Sequence, residues 1–247
     1  MNATNTAPTL SAIANQTIIE GTNTGALAFT LGDAETAPQH LTLAASSSNP
    51  TLIPNASVGL AGTGASRTAA VSPTANQLGS ATITLTVNDG TLPASSTFTV
   101  TVNAASPANA WRFQNFATTA NTGNAADTAD PDKDGLTNLA EYASGLNPNA
   151  PTTAPVASVV AGRLALTFSR NTAATDVTLT VRGAEAAGGP WTDFASSVNG
   201  AATVALVGGV SVSETGAGAN RTLEVRDLYA TTDPAHPRRF LRLLISR

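Results

Sequence analysis

Thr82-Ile83-Thr84-Leu85-Thr86-Val87, then Asn88-Asp89-Gly90, then Thr97-Phe98-Thr99-Val100-Thr101-Val102 is the stretch whose reading decides the fold. In both runs threonine alternates with an aliphatic or aromatic residue, the period of a strand with one buried and one wet face. Asn88-Asp89-Gly90 supplies turn residues that tolerate a positive φ, so the runs are expected to pair as an antiparallel hairpin. Toward the amino terminus, residues 17–20, 26–31 and 41–45 are further strand candidates, separated by Gly, Asn, Pro and Asp. These five belong to an expected six or seven short strands in about 95 residues, the rhythm of two packed antiparallel sheets.

The wording around these strands is also informative. Pro8-Thr9-Leu10, Glu20-Gly21, Gly32-Asp33-Ala34-Glu35 and the hairpin from Thr82 resemble the tandem Ig-like or cadherin-like repeats of bacterial surface proteins, over residues 7–104. The resemblance implies an Ig-like β-sandwich for residues 1–105. It also implies a second calcium site, because Glu20, Asp33 and Glu35 stand where cadherin-like repeats carry ligands, and Asp89 could face the same pole. Against that site, the acidic exit of such repeats is replaced by Asn103-Ala104-Ala105-Ser106-Pro107. The other reading of these acids is as turn and cap residues, which suits Asp33 after Gly32 and Asp89 before Gly90.

After residue 105 the period changes. Phe113, Phe116, Ala117 and Ala120 fall at i, i+3, i+4, i+7, which predicts a short helix from Pro107 with Ser106 or Asn109 as its cap. Leu136, Leu139, Ala140 and Ala143 repeat the spacing, with Gly145 placed to end that helix and Pro148 to prevent its resumption.

Between them, Asp130-Pro131-Asp132-Lys133-Asp134-Gly135, five further residues and Glu141 match the calcium-loop pattern D-x-[DN]-x-[DN]-G-x5-E at every position. Calcium takes six to eight oxygens in a loose shell, and alternate residues of a tight loop can all point inward. The expected ligands are the carboxylates of Asp130, Asp132 and Asp134, the backbone carbonyl of Leu136, Asn138 (often through water) and a bidentate Glu141. Gly135 allows the sharp bend at the sixth position. Two like charges 4 Å apart repel by about 4 kcal/mol at an effective dielectric near 20, so converging carboxylates require a cation or a splayed loop. Asp127, three residues upstream, is either an outer oxygen or an ordinary cap or surface carboxylate. Residues 124–148 resemble the thrombospondin type 3-like and dockerin-like (EF-hand-like) calcium loops of secreted bacterial proteins. A dockerin carries two such loops and this chain has one, which leaves a cohesin partner unsupported. With Trp111-Arg112-Phe113 before it and a β-domain after it, the region is similar to the carboxyl-terminal parts of large Verrucomicrobia-type surface proteins.

Beyond residue 150 strands return, at 163–168, 176–181, 203–206, 221–225 and 240–245, so 151–247 is expected to be an all-β, sandwich-like domain. The expected plan is therefore mainly β, with an Ig-like sandwich (1–105), a helix–calcium loop–helix connector (106–150) and a carboxyl-terminal β-domain (151–247). The formal charges of these parts are −3, −3 and +2, within a total of −4.

Composition removes whole classes of function. The 247 residues include 47 Ala and 38 Thr, but only 4% are aromatic and 11% charged, so any core is built from Val, Leu, Ile and Ala. Eleven Arg and one Lys, none in a run longer than two, give no basic stripe for nucleic acid. The absence of cysteine excludes disulfides, thiolate zinc sites and Cys nucleophiles. No apolar run reaches the roughly 18 residues of a membrane span. Met1-Asn2-Ala3-Thr4-Asn5-Thr6 lacks the features of a signal peptide, and the Thr/Asn/Ala/Gly-rich style suits a piece of a longer exported protein. No nucleophile elbow, Walker loop or His-Glu-x-x-His is present, and His40 and His236 are the only histidines. His236 reads as a loop residue. The expectation is a non-catalytic, calcium-binding structural or adhesive region of a secreted or cell-surface protein, with calcium (Ca2+) and neighbouring repeats or extracellular polysaccharide as partners. The alternative is a carbohydrate-binding accessory module of a polysaccharide-degrading enzyme. Sugar platforms are scarce: Trp111, Trp191, Tyr142 and Tyr229, with both tryptophans expected in cores.

Overall fold

In the computed structural model, which describes residues 4–247, the alternating runs form one long hairpin of Gly79–Asn88 (β7) and Pro93–Asn103 (β8). Its register runs from Gly79 opposite Val102 to Asn88 opposite Pro93. Ala81, Ile83, Leu85 and Val87 on one strand and Phe98, Val100 and Val102 on the other are all buried, while the threonines between them face outward. Met1, Asn2 and Ala3 of the stretch read for a signal peptide lie outside the described residues.

The chain divides into two compact units, residues 1–105 and 106–247. In the first, one sheet has Thr9–Leu10 (β1), Leu27–Gly32 (β3), Ser66–Val71 (β6) and Val58–Thr63 (β5), in the order β1-β3-β6-β5. The other has Gln16–Ile19 (β2), β8, β7 and Thr42–Ser47 (β4), in the order β2-β8-β7-β4. The β2–β8 pair is parallel, with Gln16 opposite Val100, and the other pairs are antiparallel. Residues 9–19 thus pair first with one sheet and then with the other, and the strand order is that of an Ig-like sandwich. Phe29, Leu31, Ala69 and Val71 share one core with Ile83, Val87 and Val100, and Leu52 and Ile53 are also fully buried in it. Only Phe29 and Phe98 bring rings to this cluster. Each fully buried Val, Leu, Ile or Phe contributes about 1.5–3 kcal/mol, so the lean core relies on the number of aliphatic side chains.

Asp89 stabilises the hairpin turn. Its Oδ1 accepts from the backbone N–H of Thr91 (2.6 Å) and Leu92 (2.7 Å), and its Oδ2 accepts from Asn5 Nδ2 (2.9 Å). The Leu92 N–H first, then Asn5 and Thr91, hold its carboxyl far below the usual range. A carboxyl lowered in the folded state contributes stability above its unfolded pKa and loses it as pH falls through the folded one. Asp89→Asn should therefore flatten the acid limb of the thermal-stability profile below about pH 4. Parallel acid limbs in variant and wild type would contradict this role.

The second unit is also a pair of four-stranded sheets, with antiparallel neighbours throughout. One contains Ser211–Thr215 (β14), Asn220–Ala230 (β15), Arg163–Asn171 (β10) and Val156–Val160 (β9), in that order. The other contains Val204–Ala205 (β13), Thr192–Val198 (β12), Thr178–Ala184 (β11) and Phe240–Ser246 (β16). Leu166, Phe168, Leu179, Val181, Phe194 and Leu223 lead its core. Two helices belong to the same unit: Pro107–Phe116 (α1) and Asn138–Ser144 (α2). Ala108, Tyr142 and Ala143 are buried in the core of the β-sheets, so the segment expected as a connector of its own is built into the second unit.

Ser106 caps α1, its Oγ accepting from the Asn109 N–H, with Pro107 in the first turn. The helix buries a different face from the one its apolar spacing predicts. Phe113 and Phe116 are half-buried, whereas Ala108 and Arg112 are fully buried. Arginine can occupy that position because Asn109 Oδ1 (2.9 Å) and Asp127 Oδ1 (2.5 Å) accept from its guanidinium. Helix α2 ends at Gly145, which takes the left-handed conformation (φ 69°) that favours glycine. No helix among the described residues is long and apolar enough to cross a membrane.

Candidate metal centre

Asp130, Asp132 and Asp134 lie on the loop that enters α2, and each offers a carboxylate oxygen within 4.8 Å of the other two. Backbone geometry brings them together. Lys133 (φ 64°) and Gly135 (φ 92°) both adopt left-handed conformations, which fold the loop back on itself. Asp130 braces that turn by accepting from the N–H of Lys133 (2.8 Å) and of Gly135 (3.1 Å). Asp134 accepts from the Leu136 N–H on Oδ1 (2.8 Å), and from the Thr152 N–H (2.7 Å) and hydroxyl (2.9 Å) on Oδ2. The Thr152 and Leu136 amides lower its carboxyl pKa below the usual value. Thr152 is a contact with no sequence signal, since it lies outside the loop pattern.

Glu141 is in the opposite condition. It is fully buried on α2, and neither carboxylate oxygen has a hydrogen-bond partner among the described residues. Burial first, then the negative charges of Asp132, Asp134 and Asp130, pushes its carboxyl up from 4.5 to about 7. Its oxygens fall outside the 4.8 Å triad.

Asn138 is also fully buried. Its Nδ2 donates to the carbonyls of Asn124 and Ala126, each at 2.7 Å, while Oδ1 is buried without a partner. Asp132 Oδ2 is in the same state. Leu136 precedes the α2 N-cap, Thr137, so its carbonyl lies outside the helix.

Buried oxygens without donors cost stability, and here they belong to three of the residues expected to bind a hard cation. The donor set is all oxygen, which suits calcium or magnesium. Magnesium demands near-ideal octahedral geometry and keeps most of its waters, so a set of this many protein oxygens favours calcium. The residues present fit that ion.

Asp127 serves elsewhere, pairing with Arg112 (2.5 Å) and Arg247 (2.7 Å). The acids of the first unit also have protein partners. Glu20 accepts from the Ala105 N–H, Asp33 from the N–H groups of Glu35 and Thr36, and Glu35 from Thr6. Among the described residues, the loop triad is the one group of three such ligands that converges. Asp33 and Asp89 thus brace turns, whereas Glu20 and Glu35 accept from segments distant in sequence.

Trp111 packs against the second core beside Tyr142, and Trp191 is half-buried under the Arg242 guanidinium at 4.0 Å, so neither is an open platform. His236, read as a loop residue, lies outside the strands and stacks on Tyr229.

No family model matches the chain, and no curated protein matches it. Among solved structures it is similar to titin M4 at 16% identity, over 41% of this chain and 100% of that chain, with a TM-score of 0.32. The titin I-band fragment I67–I69 is 7% identical over 89% of this chain and 55% of its own, with a TM-score of 0.35. An endo-fucoidan hydrolase from glycoside hydrolase family 107 is 14% identical over 92% of this chain and 25% of its own, with a TM-score of 0.30. Likenesses this low carry no argument, and the Ig-like assignment of the first unit rests on its strand order.

Proposed function

We propose that the chain is a non-catalytic structural or adhesive region of a secreted or cell-surface protein, whose second unit is stabilised by calcium. The observation that supports it most is Glu141, a fully buried carboxylate without a donor, beside three converging aspartates. Asp130, Asp132, Asp134, the Leu136 carbonyl, Asn138 Oδ1 and Glu141 would hold the ion. When bound, calcium supplies positive charge and no redox or acid–base chemistry. Glu141 is followed by Tyr142 and Ala143 in the sheet core, and Asp134 is bonded to Thr152, so fixing the loop holds both α2 and the chain that follows it.

A non-catalytic reading also agrees with how the remaining acids are used. Glu214, Glu224, Asp227 and Asp193 are paired with Arg170, Arg226, Arg239 and Arg182. With the extracellular reading, calcium binding would be expected at about 10⁻⁴ to 10⁻³ M, the range of extracellular modules.

Calorimetric titration of the full chain tests the reading. One calcium per chain is expected in that range, with no heat for Asp132→Ala. Asp132 is the cleaner choice because it accepts only one long bond within the loop, from the Asp134 N–H (3.3 Å), whereas removing Asp134 would also release Thr152. Equal heats for wild type and Asp132→Ala would reject the site.

A further inference from the structure

A cavity of about 420 Å³ opens in the second unit between the segment after β11, the end of β15 and Arg239. Its volume is within the usual range of small-molecule sites, roughly 300–1,000 Å³, and it is lined mainly by apolar groups with a few fixed polar ones. Val207, Leu228 and Pro190 provide aliphatic wall. Two charged side chains, Arg239 and Glu185, provide the polar part.

Arg239 is held from behind. Its Nε donates to Asp227 Oδ2 (2.9 Å) and its Nη2 to Asp227 Oδ1 (3.1 Å), and Asp227 is fully buried. Its guanidinium also lies over the Tyr229 ring at 4.9 Å, while His236 covers the same ring by stacking. A buried ion pair of this kind is weak evidence for stability, because desolvation offsets the attraction. It does fix the direction of the remaining donor, Nη1. That nitrogen forms a loose ion pair with Glu185 Oε1 at 3.7 Å, longer than a hydrogen bond. Glu185 is 59% exposed, with Oε1 also met by His236 Nδ1.

A fixed donor and an acceptor held as a loose ion pair, without a direct hydrogen bond between them, suit a ligand that accepts from one and donates to the other. A hydroxyl does both. The charges narrow the class further. Asp227 neutralises Arg239, and Glu185 at the mouth repels anions, so the cavity does not favour a carboxylate or sulfate. We propose that this cavity is a saccharide site, taking a neutral sugar whose adjacent hydroxyls bridge Arg239 and Glu185 and whose C–H face packs on Leu228 and Val207. It is separate from the calcium loop, while Trp191 sits beside it, between the lining residues Pro190 and Thr192.

The test is an amide and arginine side-chain NMR titration of the full chain with calcium present, using D-glucose, D-galactose, D-xylose and D-glucuronate as probes. Saturable shifts at Arg239, Tyr229 and Leu228 are expected with at least one neutral sugar. Losing a hydrogen bond to a charged group should make Glu185→Gln about tenfold weaker or worse. Ala186→Trp, which fills the mouth from an exposed position, should abolish the shifts. Both variants change exposed residues, and unchanged amide spectra away from the cavity would verify their folds. No saturable shift with any neutral sugar, tighter binding of glucuronate, or undiminished binding in either variant would overturn the proposal.

Discussion

In chelator at pH 8, Glu141→Gln should melt at a higher temperature than the wild type, and in excess calcium that difference should largely disappear. Burial and the three aspartates push the Glu141 carboxyl from 4.5 to about 7 in the folded chain. A group raised on folding contributes its stability fully below the unfolded value, and loses it as pH climbs through the folded one. Above pH 7 the folded metal-free protein therefore carries the whole cost of ionising a buried carboxylate. A rise from 4.5 to about 7 corresponds to about 3 kcal/mol at 1.36 kcal/mol per pH unit. Glutamine keeps the shape and removes the charge, so it should recover most of that amount. At 2–4 °C per kcal/mol for a unit of this size, the gain is roughly 10 °C at most. The difference should shrink toward pH 5, where wild-type Glu141 is protonated.

Calcium offsets the difference because the same charge then has a partner. A ligand that binds only the folded state adds about 2.7 kcal/mol at one hundred times its dissociation constant. The wild type should gain that stabilisation and Glu141→Gln should not. Melting curves of both proteins, with chelator and with calcium at pH 5 and pH 8, decide the matter. A variant less stable than wild type in chelator would show that Glu141 has donors in solution. Equal calcium responses would show that it is not a ligand.

These outcomes depend on residues that were unequally visible in the sequence. The β7–β8 hairpin could be read because threonine alternated with Ile, Leu, Val and Phe without interruption. Strands β5 and β6 could not, since Val58-Gly59-Leu60-Ala61-Gly62-Thr63 and Ser66-Arg67-Thr68-Ala69-Ala70-Val71 offer glycine and alanine where a pattern needs bulk. Ala69 is nonetheless fully buried, because a close-packed sandwich requires small side chains as well as large ones. The loop triad was legible because its spacing is local. Arg112 was not, because a period-based reading assigns arginine to water, and the carboxylate that permits its burial is fifteen residues away. The cavity between Arg239 and Glu185 had no local signal, as its polar residues converge only when β11 and β15 are placed in their sheets.

Asp127→Ala should destabilise the second unit by about 3 kcal/mol while leaving calcium affinity within a few-fold of wild type. Its carboxylate is shared by Arg112, which is 2% exposed, and Arg247, so removing it leaves a buried guanidinium without its counter-charge. Breaking a buried pair from one side costs about 3–5 kcal/mol, and the lower end applies because the Asp127 side chain is 22% exposed. Asn109 still accepts from Arg112 Nη1, which limits the loss further. Calcium affinity should hold because the backbone carbonyl of Asp127, which accepts from the Leu139 N–H at 3.0 Å, survives the substitution and keeps the start of α2 in place. Arg247→Ala should cost much less, since Asp127 keeps Arg112 and an exposed pair contributes about 0–1 kcal/mol. Urea unfolding gives the stabilities and calorimetry the affinities. Should Asp127→Ala lose calcium binding more than tenfold with little change in stability, Asp127 would belong to the metal shell and its pairing with Arg112 would be incidental.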